Sequence, residues 1–294
     1  MLSDRSDIFF DPNFPDDYFL RSASVAVRVG NDWRFFDPGS AYVNYGMLRW
    51  QEEGQQALVT DPKEPVFVIT PLSPAARSQQ KRLAKLRLSD DGTLEGEVRI
   101  EYTGHFAADK KEYNDEDSQD QREQTLRDSV KEQMSTAEIS NIRIENVTDP
   151  VKPFVYAYHV RVPGYAQRTG KRLFLHPAFF QHGLGPLFSA SERKHSIYFH
   201  YPWSEDDQVE IELPTGFDLD NAEAPAPFSL GQTGKYEVTL GVTKDKRTMV
   251  YTRRFEFNGM LFPVSSYPQL KKVFDILHEQ DNHTVTLKQS AGER

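Results

Sequence analysis

Four imidazoles, His176, His182, His195 and His200, form the densest histidine group in the chain. Neutral imidazoles that met in space would make a metal site. Their spacing matches no metal motif, and His195 and His200, five apart on one expected strand, point to opposite faces. They are read as structural, and no metal site is assigned. The acidic run NDEDSQD, Asn114 to Asp120, offers the oxygen ligands that calcium takes, but it lacks the central glycine and distal glutamate of an EF-hand loop. It is read as a solvated loop whose acids suit the start of the next helix. Aromatic residues crowd between Phe174 and Trp203. Most are expected in the core, whereas the polar setting of YPWSEDD predicts a partly exposed Trp203, with Tyr201 beside it, for stacking on a glycan or peptide.

The chain has no cysteine, so disulfides, thiolate zinc sites and a cysteine nucleophile within it are excluded. No serine sits in a Gly-x-Ser-x-Gly elbow and no glycine-rich loop cradles a phosphate. No cofactor is implied. With 35 basic against 44 acidic residues, net charge −9, recruitment of nucleic acid by bulk electrostatics is disfavoured. No apolar run reaches the length of a membrane-spanning helix, and MLSDRSDIFF lacks the pattern of an export signal. The 20 phenylalanines and 13 tyrosines favour strands.

The elements follow from periodicity. In YFLRSASVAVRVGNDWRFFDPGS, Tyr18 to Ser40, Val25, Val27 and Val29 alternate with other residues before a GND turn leads into WRFF, a hairpin that Asp37-Pro38-Gly39 closes. PVFVIT, ended by Pro71 and Pro74, places a boundary near residue 74. Two strands then flank Asp90-Asp91-Gly92, and an acidic connection from Asp109 to Asp120 leads to a helix with Leu126, Val130 and Met134 in one stripe. In FVYAYHVRV, Phe154, Tyr156, Tyr158, Val160 and Val162 share an expected buried face. Beyond Gly164 the strands GKRLFLHP, HSIYFHY, QVEIELP, KYEVTLGVT and MVYTRRFEF have the spacing of a sandwich. Pro268 opens a helix with Leu270, Val273, Phe274 and Leu277 on one face, and HTVTLK forms a last strand. The fold class is mainly β within α+β: sandwich-like domains with a few helices, in segments 1–74, 75–163 and 164–294.

The stretches FFDPGSAYVNYGMLRWQEEGQQALV, GTLEGEVRIEYTG and YPQLKKVFDILHEQDNHTVTLK resemble the C-terminal part of bacterial transglutaminase-like proteins, in which a papain-like catalytic domain sits between β-rich domains of unknown function. The resemblance implies that residues 1–74 are the end of such a catalytic domain. There a cysteine at a helix start attacks, a histidine on a strand is its base, and an aspartate on the next strand orients the imidazole. Asp37 matches that aspartate, Ser22 stands where the histidine belongs, and the cysteine would lie upstream of Met1. A serine is no base, so Asp37 is read as a relic that ends a strand.

The chain is therefore expected to be a non-catalytic accessory or interaction module that binds a polypeptide or glycan, with Trp203 and Tyr201 as binding residues and an upstream catalytic domain as partner. The alternative is a truncated part of an active cysteine protease or transglutaminase. The resemblance implies a periplasmic or secreted setting.

Overall fold

The computed structural model describes residues 1–290 apart from 9, 12, 14 and 15. Residues 1–74 hold two antiparallel hairpins. Strand β1 (Val25–Val29) pairs with β2 (Asp32–Phe36), and β3 (Gln56–Val59) pairs with β4 (Val66–Ile69). Leu2 bridges to Ser22 and to Ala57, and Leu2, Phe35, Leu48, Ala57 and Val59 form a small core of their own. Alternation in β1 places Ala26 toward this core and leaves Val25, Val27 and Val29 exposed.

The rest of the chain is organised by one eight-stranded sheet. Its strands are β5 (Gln79–Leu88), β6 (Leu94–Tyr102), β7 (Glu138–Glu145) and β8 (Phe154–Val162), then β12 (Trp203–Glu212), β14 (Phe228–Ser229), β15 (Gly234–Val242) and β16 (Thr248–Phe257), in the spatial order β14-β15-β16-β12-β5-β6-β8-β7. Every ladder is antiparallel except the one between β12 and β5, which is parallel. That ladder joins strands from either side of Gly164, and both groups of strands feed a single apolar core. The boundary expected at 163/164 thus falls within a shared sheet, because β5 and β12 complete each other's hydrogen bonding.

Cross-strand register puts Ile100, Arg82, Asp207 and Arg253 on the same face, along with Leu86, Ile211 and Tyr251. This face is buried, and the alternate residues Lys81, Lys85, Gln208 and Arg254 are partly or fully exposed. A four-stranded sheet, β13 (Phe217–Asn221), β18 (Val285–Gln289), β10 (Arg172–Leu175) and β9 (Gln167–Thr169), shares the core through Leu173, Leu175, Val285 and Leu287. A two-residue pair, β11 (Ile197–Tyr198) with β17 (Leu261–Phe262), is all that forms of the strand expected in HSIYFHY.

Among the described residues there are three α-helices. The stretch expected as an acidic loop begins inside α1 (Gly104–Asn114), whose buried positions His105, Ala107, Ala108, Lys111 and Asn114 include no large apolar residue and so give no amphipathic signal. Lys111 is tolerated there because its ammonium donates to the Asp149 and Lys152 carbonyls at 2.7 and 2.6 Å. Helix α2 (Gln119–Gln133) starts on a capping box in which Ser118 and Gln121 exchange side-chain and backbone hydrogen bonds. It buries Leu126 and Val130, and Met134 just beyond its end, as the periodicity predicts. Helix α3 (Tyr267–Asp281) buries Tyr267, Leu270, Phe274, Leu277 and Asp281.

The turn between β5 and β6 places Gly92 at φ +87°, where an added Cβ would lie 2.1 Å from the Ala166 carbonyl oxygen. Gly30, at φ +65°, has open space around the same position. Both resist substitution by backbone strain, but only Gly92 adds a clash. We expect Gly92→Ala to lose about 2 kcal/mol in urea unfolding and Gly30→Ala about half of that. Equal losses would show that the Ala166 contact yields.

Candidate functional site

Asp37 directly follows β2 and is an acceptor on all sides. It takes the Gly39 amide at 3.1 Å, the Ser40 hydroxyl at 2.6 Å and the Arg49 Nε at 3.1 Å. Arg49 Nη2 reaches the Ser22 hydroxyl at 2.8 Å and Glu52 at 2.5 Å, and Ser22 donates to Glu52 as well. Ser22 and Asp37 are thus brought together, but across a guanidinium. Partial burial alone would lower Arg49, yet Glu52 and Asp37 hold its pKa above the ordinary value, so it stays charged. A permanent cation with no lone pair can neither accept a proton nor attack a carbonyl. Arg49 and Glu52, both in RWQEEG, were not singled out by the sequence pattern.

His105, the first histidine in the sequence, pairs elsewhere. Its Nε2 lies 3.2 Å from Glu53, and both side chains are buried. Ser73 donates its amide at 2.9 Å and its hydroxyl at 2.6 Å to the same carboxylate. Burial would raise the Glu53 pKa, but His105 and Ser73 together bring it below its usual value of 4.5. Since Glu53 lies in the N-terminal unit and His105 on α1, this cluster fastens the two together.

The histidine group divides. The rings of His176 and His182 lie 5.2 Å apart, His195 is exposed, and His200 stacks on Trp50 at 4.0 Å. Among the described residues no three His, Cys, Asp or Glu side chains gather as a metal site. Tyr201, expected as a binding residue, is buried and donates to Asp109 at 2.8 Å. Trp203 is half-buried rather than a rim aromatic, because its ring packs against Phe199, Phe255 and Phe257 with centroids 4.8–5.9 Å away. YPWSEDD is largely strand β12 rather than loop; its Asp207 is buried on the core face, and its Ser204 is buried on the other face, where its hydroxyl donates to the Ala75 carbonyl at 3.2 Å.

The polar centre of the molecule lies beneath Trp203. Asp207, fully buried on β12, stands in register with Arg82 on β5 and Arg253 on β16. Arg82 grips it with two hydrogen bonds, 2.6 and 2.9 Å, and Gln181 adds a third at 2.9 Å. Glu205 accepts from Arg82 at 2.8 Å, from Arg253 at 2.7 Å and from the Trp203 indole at 3.2 Å. Arg253 then forks onto Asp281 of α3 at 2.7 and 2.9 Å, where the Tyr236 hydroxyl also donates. Burial pushes the Asp207 carboxyl up, against the pull of Arg82 and Arg253. At Glu205 the two guanidiniums outweigh the burial that opposes them, and its pKa falls to about 2.

A cavity of about 420 Å³ opens over this network. Trp203, Phe255 and Phe274 wall it, Glu205, Arg253 and Asp281 lie at its base, and Leu184 and Leu187, about half exposed, stand at its mouth. Such an arrangement combines apolar walls with a few fixed polar groups, as small-molecule and peptide sites do.

Residues 171–287 match a family model described as a domain of unknown function with a solved structure (DUF3858). That span carries Trp203, Glu205, Asp207, Arg253 and Asp281, but not Arg82. No curated protein matches the chain. Among solved structures, a crystal structure from Parabacteroides distasonis described as a "putative protease" aligns at 17% identity and a TM-score of 0.30, over 34% of this chain and 19% of that one. The chain thus spans about a fifth of that protein's length.

Two expectations follow. Arg253→Ala leaves Asp281 and Glu205 short of their main partner inside the core, so it should destabilise by about 3–5 kcal/mol in urea unfolding; a loss below about 1 kcal/mol would mean that water already solvates the pair. The Glu53 carboxyl, whose pKa is lowered on folding, stabilises above its unfolded value, and this stability disappears as pH falls through the folded value. Glu53→Gln should therefore lower Tm near neutral pH and leave a shallower acid limb. A parallel downward shift at all pH values would disprove the linkage.

Proposed function

We propose that the chain is a non-catalytic binding module of a transglutaminase-like protein, with residues 1–74 descended from the end of the catalytic domain. The observation that carries this is Arg49, which occupies the space between Ser22 and Asp37 where an imidazole would have to stand. Restoring a histidine at position 22 would place it against a guanidinium, with no thiol to activate.

The binding surface on this reading is the cavity beneath Trp203, and its ligand is a polypeptide segment or glycan. The leucines at the mouth and the aromatic walls offer contact area, and the ion-paired base offers fixed donors and acceptors. The exposed stripe Val25, Val27 and Val29 suits packing against an upstream catalytic domain in a periplasmic or secreted protein.

The test has two arms. Amine incorporation and peptide cleavage should be undetectable for the wild type, Ser22→His and Asp37→Ala, and Asp37→Ala should cost about 1–2 kcal/mol of stability. Activity in the wild type that Asp37→Ala abolishes would overturn the relic reading. In the second arm, Leu184→Asp with Leu187→Asp should reduce capture on a peptide and glycan array while Tm stays unchanged. Trp203→Ala is unsuitable there, because it also hollows out the packing with Phe255 and Phe257. Unaltered capture would rule out this cavity.

A further inference from the structure

A second cavity, of about 280 Å³, lies between α2 and the buried face of β5, β6 and β8. Tyr102, Tyr156 and Tyr158 line it from the sheet, Phe179 and Phe180 from the 176–188 segment, and Thr125 and Ser129 from α2. The charged groups of its lining are Lys110 and Arg82, and no aspartate or glutamate is among them. In a chain with nine more acids than bases, a lining with two cations and no carboxylate is a departure from the average surface.

The two cations differ. Arg82 is already balanced by Asp207 and Glu205. Lys110 is partly buried and its ammonium lies over two ring faces, 5.5 Å from Tyr102 and 5.9 Å from Tyr156. It enters no ion pair among the described residues, and Asp109 beside it accepts the Tyr201 hydroxyl. Burial lowers the Lys110 pKa against a smaller opposing pull from Asp109, and a carboxylate ligand beside the ammonium would act in the same direction as Asp109. Ring faces hold a cation by about 1 kcal/mol, whereas a carboxylate at hydrogen-bond distance would give a charge-assisted contact of greater strength.

We propose that this cavity binds an aromatic carboxylate, its carboxylate against Lys110 and its ring among Tyr102, Tyr156 and Phe180. A water occupies about 30 Å³ of liquid, so the space suits a ligand the size of one aromatic amino acid. Edge-to-face packing already joins Tyr102 to Tyr156 and Phe179 to Phe180, and an inserted ring would extend that pattern. The hydroxyls of Thr125 and Ser129 supply donors on the α2 side. The same chemistry is offered by a free aromatic acid and by the C-terminal residue of a peptide ending in tyrosine or phenylalanine. The two cavities share Gln80 and Arg82, but Lys110 and the three tyrosines line only this one, so variants at Lys110 and Ser129 test it independently of the module's proposed function.

The experiment is calorimetric titration of the full chain with 4-hydroxyphenylacetate and with its amide. The acid should bind at least about tenfold more tightly. Lys110→Gln should remove that preference while leaving the amide's affinity in place, and Ser129→Trp, which fills the cavity from an exposed helix position, should abolish binding of both with the fold intact by circular dichroism. A second ligand pair, a short peptide ending in tyrosine with a free or an amidated C-terminus, separates the sources: a free-acid preference there assigns the site to peptide ends, and its absence leaves the small acid as ligand. Equal affinities for acid and amide, a preference that survives Lys110→Gln, or no saturable binding would overturn the proposal.

Discussion

The row of charges Arg82–Asp207–Arg253 crosses the one parallel ladder of the large sheet, and the relation between the two halves of the protein depends on it. Asp207 has no exposure to solvent, so it can remain ionised only if both neighbouring strands keep their guanidiniums in register. A slip of one residue in β5 or β16 would turn that strand's arginine to the solvated face and leave a bare carboxylate in the core. The network therefore specifies register where apolar alternation alone would accept several nearby pairings. It also seats α3. An aspartate at the last position of a helix opposes the helix dipole, yet Asp281 is held there by the Arg253 fork and the Tyr236 hydroxyl.

Much of this fold could be read in the sequence because its sheet has one buried and one solvated face. Strands such as MVYTRRFEF carry the period-two signal that such a sheet requires, whereas FVYAYHVRV is buried on both faces over its first half; α2 and α3 carry the period of a helix. Helix α1 escaped because small and polar side chains cover its buried side, with Lys111 satisfied by two carbonyls from a distant loop. The joining of β5 to β12 was also hidden, since partners so distant in sequence leave no local signature.

The ion network did have a signature. Arg82 falls in step with Ala84, Leu86 and Leu88, Asp207 with Val209 and Ile211, and Arg253 with Tyr251, Phe255 and Phe257. A charge on the apolar parity of a strand is the mark of a paired buried ion. In the N-terminal unit, Ser22 and Asp37 meet only through Arg49. What lay between them came from the loop before β3, and Arg49 and Glu52 have no periodic pattern to announce them. Trp203 is partly exposed as its polar setting predicts, but two of its acidic neighbours, Glu205 and Asp207, belong to the buried ion network while Asp206 faces solvent.

The parallel ladder has a consequence for synthesis. Arg82 and Asp207 are separated by 125 residues. At about 5–20 residues per second, a ribosome needs roughly 6–25 s to make the intervening chain. During that interval β5 can pair with β6 but presents its other edge unpaired, with Arg82 awaiting its counter-ions. An open edge of ten residues is a template for any other extended chain. Lys81, Lys85 and Arg87 along the same strand add repulsion between two nascent copies, so the charges that later face solvent also guard the strand until its partner is made.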